Sequence, residues 1–147
     1  MRGDASERST PARVQRLSPD TLAKNPAFAQ LVVVDGPMRT LYVGGQNATE
    51  PSGQIIAGDL AAQTTQVLKN IEAALAAGGA EPEDIVKWNI FVVQGQAVEQ
   101  AFGAYQAWGA GVRPAAVTVA YVAGLGRPDA LIEVDVTAVV PLRRSRH

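Results

Sequence analysis

The sequence predicts an α+β domain in which one β-sheet carries two helices on a single face. Three observations lead there. Two stretches, Asp59 to Ala77 and Ala97 to Trp108, place apolar residues at spacings of three and four, the period of an amphipathic helix. The segments around them are rich in Val, Ile and other strand formers and are bounded by Gly, Pro and Asp turn signals. The chain then closes on a strict alternation, in which Ile132, Val134, Val136, Ala138 and Val140 interleave with Leu131, Glu133, Asp135, Thr137 and Val139.

In order, residues 1–12 are polar and small and are expected to form a disordered tail, followed by one domain over 13–141 and a basic tail over 142–147. Arg13 to Ser18 reads as a short strand, and Ser18-Pro19-Asp20 opens a connector that ends at Asn25-Pro26. Ala29 to Val34 and Thr40 to Val43 are strands separated by Asp35-Gly36-Pro37, which predicts a hairpin. Gly44-Gly45-Gln46 follows directly. Paired glycines there either let a ligand or neighbouring chain approach the backbone or form a simple bulge or turn; no Gly-Lys-Ser/Thr follows, so this is not a phosphate loop.

The first helix starts at Asp59, a good N-cap, and stops at Gly78-Gly79. Its stripe is Leu60, Thr64, Val67, Leu68, Ile71 and Leu75, with Gln63, Gln66, Lys69, Asn70 and Glu72 on other faces. Glu81 to Asp84 is a polar turn, and Ile85 to Val93 is a strand with Lys87 and Asn89 at alternate positions. The second helix puts Val98, Ala101, Phe102, Tyr105 and Trp108 on one side before Gly109. Val117 to Ala123 and Leu131 to Val140 are expected to pair across a Gly/Pro turn. Two helices cannot cover every aliphatic strand, so the uncovered face or an edge is expected to pack on another copy of the chain.

Composition removes several kinds of chemistry. The 147 residues hold no cysteine, and the single histidine is His147, which argues against thiolate metal sites, cysteine nucleophiles and His-based triads. The formal net charge is -1, and the clustered arginines lie at the ends (Arg2, Arg8, Arg13, Arg16; Arg143, Arg144, Arg146). A nucleic-acid surface needs basic residues that track a backbone, so no nucleic-acid partner is expected. There is no apolar run of membrane-spanning length and no apolar signal core near Met1, and a cytoplasmic protein is expected.

The order of elements, with Gly44-Gly45-Gln46, the long helix before Gly-Gly, Asp84-Ile85-Val86-Lys87 with Phe91-Val92-Val93, Arg113-Pro114-Ala115 and Leu131-Ile132-Glu133-Val134-Asp135-Val136, resembles the Rid (YjgF-type, reactive intermediate deaminase) family over roughly residues 14–141. The resemblance implies a chorismate-mutase-like fold with a mixed sheet and a homotrimer whose clefts lie between subunits. It also implies hydrolysis of 2-imino acids or their enamines to 2-oxo acids and ammonia, with no cofactor and no metal. Matched residue by residue, Glu133 falls on the family's catalytic glutamate, Gly45 on the glycine of its Gly-Gln motif, Phe28 on a cleft tyrosine, and Thr118 on a position that is often cysteine or threonine.

Ala116 falls where the family carries the arginine that clamps the substrate carboxylate. Arg113 is the nearby candidate to replace it, but in a regular strand it points to the opposite face from Ala116 and Thr118 unless Pro114 sits at a bulge; Arg127 is a second candidate at the cleft mouth. Losing one partner of a buried charge pair costs about 3–5 kcal/mol. At 1.36 kcal/mol per decade, that is roughly a hundredfold to several thousandfold in rate. The expected function is therefore an imine or enamine hydrolase of a small reactive metabolite other than simple 2-imino acids, with a non-catalytic metabolite-binding or regulatory trimer as the alternative. Glu133 either orients water or pairs with a cation across an interface.

Overall fold

The computed structural model describes residues 10–142. Most of the expected N-terminal tail, the basic C-terminal residues after Leu142, and the terminal arginines Arg2, Arg8, Arg143, Arg144 and Arg146 lie outside them, as does His147.

The elements run β1 (Arg13–Leu17), β2 (Leu31–Asp35), β3 (Met38–Gln46), α1 (Leu60–Ala77), a 3-10 turn (Pro82–Asp84), β4 (Ile85–Val93), α2 (Val98–Trp108), β5 (Ala116–Val122) and β6 (Ile132–Pro141). Four strands form a mixed sheet in the order β3-β6-β4-β5, with β6 antiparallel to both neighbours and β5 parallel to β4. β1 and β2 form a separate antiparallel ribbon.

The two expected strand pairings are corrected. β5 and β6 do not form a hairpin: the segment between them carries the chain past β4, and β6 enters the sheet between β3 and β4. A strand that leaves β4 through a helix returns parallel to it, as β5 does, and so occupies the outer edge. β2 pairs with β1 rather than β3. Gly36 takes φ +79° and Pro37 has no N–H to donate, so the two residues redirect the chain from ribbon to sheet instead of closing a ladder.

The helices form where their signals lie. The Asp59 carboxylate accepts from the Ala62 N–H at 2.9 Å, and the Gly78 and Gly79 amides donate to the carbonyls of Leu75 and Ala76, ending α1. Leu60, Thr64, Val67, Leu68, Ile71 and Leu75 are buried as the spacing requires. They meet Ile132, Val134, Val136 and Ala138 of β6 in one core. α2 lies beside α1 on the same face. Trp88 of β4 meets the rings of Tyr105 and Trp108 edge-on at 5.7 and 6.2 Å, and the Trp108 indole N–H donates to Glu72 at 3.2 Å.

Gln63 departs from its expected place. It is buried, its amide N–H donates to the Asp129 carbonyl at 3.0 Å, and its side-chain oxygen accepts from the Leu131 N–H at 2.8 Å. It thereby fixes the turn that delivers β6. Arg16 does a similar task at the other end, donating to the carbonyls of Glu83, Ile85 and Pro114 and so tying the ribbon to the starts of β4 and β5. Burial, then the neighbouring Arg113 charge, holds its pKa below the usual guanidinium value, against a smaller opposing effect of Asp84.

Gln63→Met keeps the volume and removes both bonds, leaving the Leu131 N–H without its partner. Urea denaturation is expected to show a loss of about 1–3 kcal/mol.

Candidate functional site on the open face of the sheet

Because successive strand residues alternate faces, burying Ile132, Val134, Val136 and Ala138 under the helices turns Glu133, Asp135 and Thr137 to the opposite face. The register carries that face across three strands. Glu133 pairs with Phe91, which pairs with Ala120; Asp135 pairs with Asn89, which pairs with Thr118; Thr137 pairs with Lys87, which pairs with Ala116. Among the described residues no helix covers this face, and Tyr42, opposite Thr137, is 83% exposed.

Gly44 and Gly45 lie within β3 at a break in its register with β6, between Val43 and Gln46. The bulge has a consequence at Glu133. A β-carbon on Gly45 would lie 2.9 Å from the Glu133 carboxyl carbon and 3.0 Å from Oε2, so glycine there leaves the space the carboxylate occupies. The Asn47 amide N–H approaches Glu133 Oε1 at 3.5 Å and the Ile132 carbonyl at 3.3 Å. Asn47 is in turn held from α1, where the Asn70 side chain donates to its carbonyl at 3.1 Å.

Across the same face the Asn89 amide donates to Asp135 at 2.9 Å, and the Lys87 ammonium donates to the Thr118 hydroxyl at 2.8 Å. The ion pairs among the described residues are Lys24–Asp20 and Arg127–Asp129. Among the described residues, neither Glu133 nor Lys87 has an oppositely charged side chain within 4.0 Å.

Glu133, Gly45, Ala116 and Thr118 therefore share one face, whereas Phe28 and Arg113 do not join them. Phe28 bridges to Ala115, and with Arg113 it lines an apolar cleft of about 100 Å³ on the helix side, beside Phe102, Tyr105 and Val119. Burial raises the Tyr105 pKa there. Arg127 donates to the Gly53 carbonyl at 2.9 Å, which engages it with the loop after β3. The sequence reading missed Asn47, whose one signal is its place directly after Gly44-Gly45-Gln46. It also passed over Lys87 as an ordinary alternating polar residue. No group of three or more potential metal ligands occurs among the described residues, and no described helix is long and apolar enough to cross a membrane.

A mixed sheet with two helices on one face and a glycine bulge against a strand glutamate defines a class of proteins, and a family model described as Endoribonuclease L-PSP matches residues 20–140. The chain belongs to this family, the Rid or YjgF family. It is similar to the rat 2-iminobutanoate/2-iminopropanoate deaminase, at 39% identity over 67 residues, 45% of this chain and 47% of that protein. The match to that curated relative thus spans about half its length. A RutC family protein of Pyrococcus horikoshii is 33% identical over 99 residues, 67% of this chain and 77% of its own. Among solved structures, YyfB of Yersinia pestis, a Rid-family protein of unknown function, superposes with a TM-score of 0.76 at 33% identity, covering 86% of this chain and 98% of YyfB.

Gly45→Ala tests the bulge. The atoms a new methyl would meet are the mobile end of Glu133, so the thermal midpoint is expected to change little. The carboxylate is expected to move by the half ångström or more that separates 2.9 Å from ordinary contact at 3.4–4 Å, or to swing to another rotamer, as read from a crystal structure of the variant.

Proposed function

We propose that this chain is an imine or enamine hydrolase, a deaminase of a small reactive metabolite, working in clefts between the subunits of a homotrimer. The observation that carries the reading is a carboxylate, Glu133, on an open sheet face, with room kept for it by Gly45 and no cation among the described residues within 4.0 Å. Such a group is free to accept a hydrogen bond from water. In the proposed step water adds to the C=N carbon while Glu133 takes its proton. Glu133 passes that proton to the nitrogen, giving a neutral carbinolamine, then takes the carbinolamine's hydroxyl proton and delivers it to the nitrogen as the C–N bond breaks, so that ammonia leaves and a carbonyl remains. An enamine first tautomerises to the imine. Atoms balance without an oxidant, a reductant or a cofactor.

The register supports a shared cleft. Glu133 and Thr118 lie two strands and two residues apart, which at strand spacings of about 4.8 Å and rises of about 3.3 Å puts their Cα atoms about 12 Å apart. A ligand of a few heavy atoms does not span that distance. Glu133 of one copy facing Ala116 and Thr118 of another would close the gap and cover the exposed face, and the family resemblance supplies the trimer.

Ala116 sets the substrate class. Without a guanidinium fork there is no bidentate grip on a carboxylate, which favours ligands other than simple 2-imino acids. A small-molecule ligand also suits the charge of the face better than RNA does, since Lys87 is accompanied by Glu133 and Asp135.

In a coupled assay an amino-acid oxidase generates 2-imino acids and release of the 2-oxo acid is followed. The wild type is expected to accelerate release weakly, Glu133→Gln to bring release back to the rate without protein, and Ala116→Arg to gain on the smallest imino acids. A wild type silent on every imine and enamine offered, with Ala116→Arg silent too, would sink the hydrolase reading in favour of a binding trimer.

A further inference from the structure

Lys87 is a cation with an unusual address. Its side chain leaves β4 on the face that carries Glu133, opposite Ala116 on β5, and its ammonium reaches one row along the sheet to the Thr118 hydroxyl at 2.8 Å. An ammonium has three donors, and that bond uses one. Its diagonal carboxylate neighbour, Asp135, accepts from Asn89 at 2.9 Å and does not form an ion pair with it. Other arginines near this part of the chain are engaged elsewhere: Arg16 with the carbonyls of Glu83, Ile85 and Pro114, Arg113 in the lining of the helix-side cleft, and Arg127 with the Gly53 carbonyl. The half-buried Lys87 is therefore the positive group that the sheet presents beside Ala116 and Thr118.

We infer that Lys87 is the anion anchor of the cleft, and that the ligand carries one carboxylate held end-on by the Lys87 ammonium, with its side chain in the space that alanine leaves at position 116. This deepens the hydrolase reading and rests on it. A lysine is a point charge where arginine is a planar fork, so it fixes one oxygen of the ligand and not the plane of its carboxylate. Orientation must then come from elsewhere in the ligand. A branched or longer side chain packed against Ala116 supplies it, whereas a two- or three-carbon imino acid has nothing to offer there. Loss of the fork and retention of a carboxylate are thus compatible: the site still selects an anion, but a larger one.

The experiment measures binding, so it does not depend on turnover. The probes are 4-methyl-2-oxopentanoate and its uncharged primary amide, titrated by calorimetry at low ionic strength into the full chain. The wild type is expected to bind the acid about tenfold or more tightly than the amide, as suits one charge-assisted hydrogen bond. Lys87→Met is expected to bring the two affinities together, and Lys87→Arg to keep them apart. Ala116→Glu places a carboxylate opposite Lys87 and neutralises it without truncating β4; it is expected to abolish the preference even if Lys87→Met does not fold. Equal affinities in the wild type, or a preference that survives in folded Lys87→Met or in Ala116→Glu, would overturn the assignment. The preference for the acid in a protein silent on every imine would leave the anchor standing and remove the hydrolase; turnover without that preference would do the reverse.

Discussion

The alternation along β6 is the constraint on which the rest depends. Its even residues, Ile132 to Ala138, are buried in the core under α1, and this sends Glu133, Asp135 and Thr137 to the other face with no freedom left. A slip of one residue would bury two carboxylates and expose the aliphatic row, at a cost of several kcal/mol for each charge left without a partner. The site is therefore held in register by the same burial that stabilises the sheet. Gln63 and the bulge at Gly44-Gly45 secure the two sides of that arrangement, one by bonding the turn before β6, the other by shifting β3 so that its backbone passes beside the Glu133 carboxylate.

The helices were legible because their information is local. A cap, a stripe and a pair of glycines are all written within α1 itself, and Asp59, Leu60 to Leu75 and Gly78-Gly79 act as they read. Strand existence was legible for the same reason, and strand pairing was not. Adjacency in sequence suggested β2 with β3 and β5 with β6, but pairing is decided by which edges remain open after the helices pack. The β4-α2-β5 crossover leaves β5 at the outer edge, and β6 fills the gap between β3 and β4. Gln63 was misread because a glutamine on the flank of an apolar stripe looks solvent-facing until the segment it bonds, 68 residues away, is in place.

The same division runs through the site. Glu133 stands out in sequence because a carboxylate among β-branched residues demands a reason. Asn47 and Lys87 do not, since a polar residue after a turn and a lysine at an alternate strand position are what any half-exposed sheet shows. Their meaning comes from cross-strand partners: Asn47 from the Ile132 carbonyl and Glu133, Lys87 from Ala116 and Thr118. Phe28 and Arg113 show the converse. Arg113 lies just before β5 in sequence and Phe28 reaches its start through the bridge to Ala115, yet both line the side of the sheet away from Glu133, where Arg16 pins the Pro114 and Ile85 carbonyls.

Distance gives the two unpaired charges their significance. Lys87 and Glu133 lie four residues apart along β4 and its partner, about 13 Å of strand. An ion pair on an exposed face is worth a fraction of a kcal/mol, and at this separation the two side chains do not form one. Set four residues apart, they contribute little to the stability of one chain and keep their hydrogen-bonding capacity. An arrangement that gives up a modest stabilisation to leave a cation and a carboxylate open on one face suits a cleft in which each meets a ligand or a second copy of the chain. It is also why the open face, more than the better-packed helix side, is where the chemistry of this protein is to be sought.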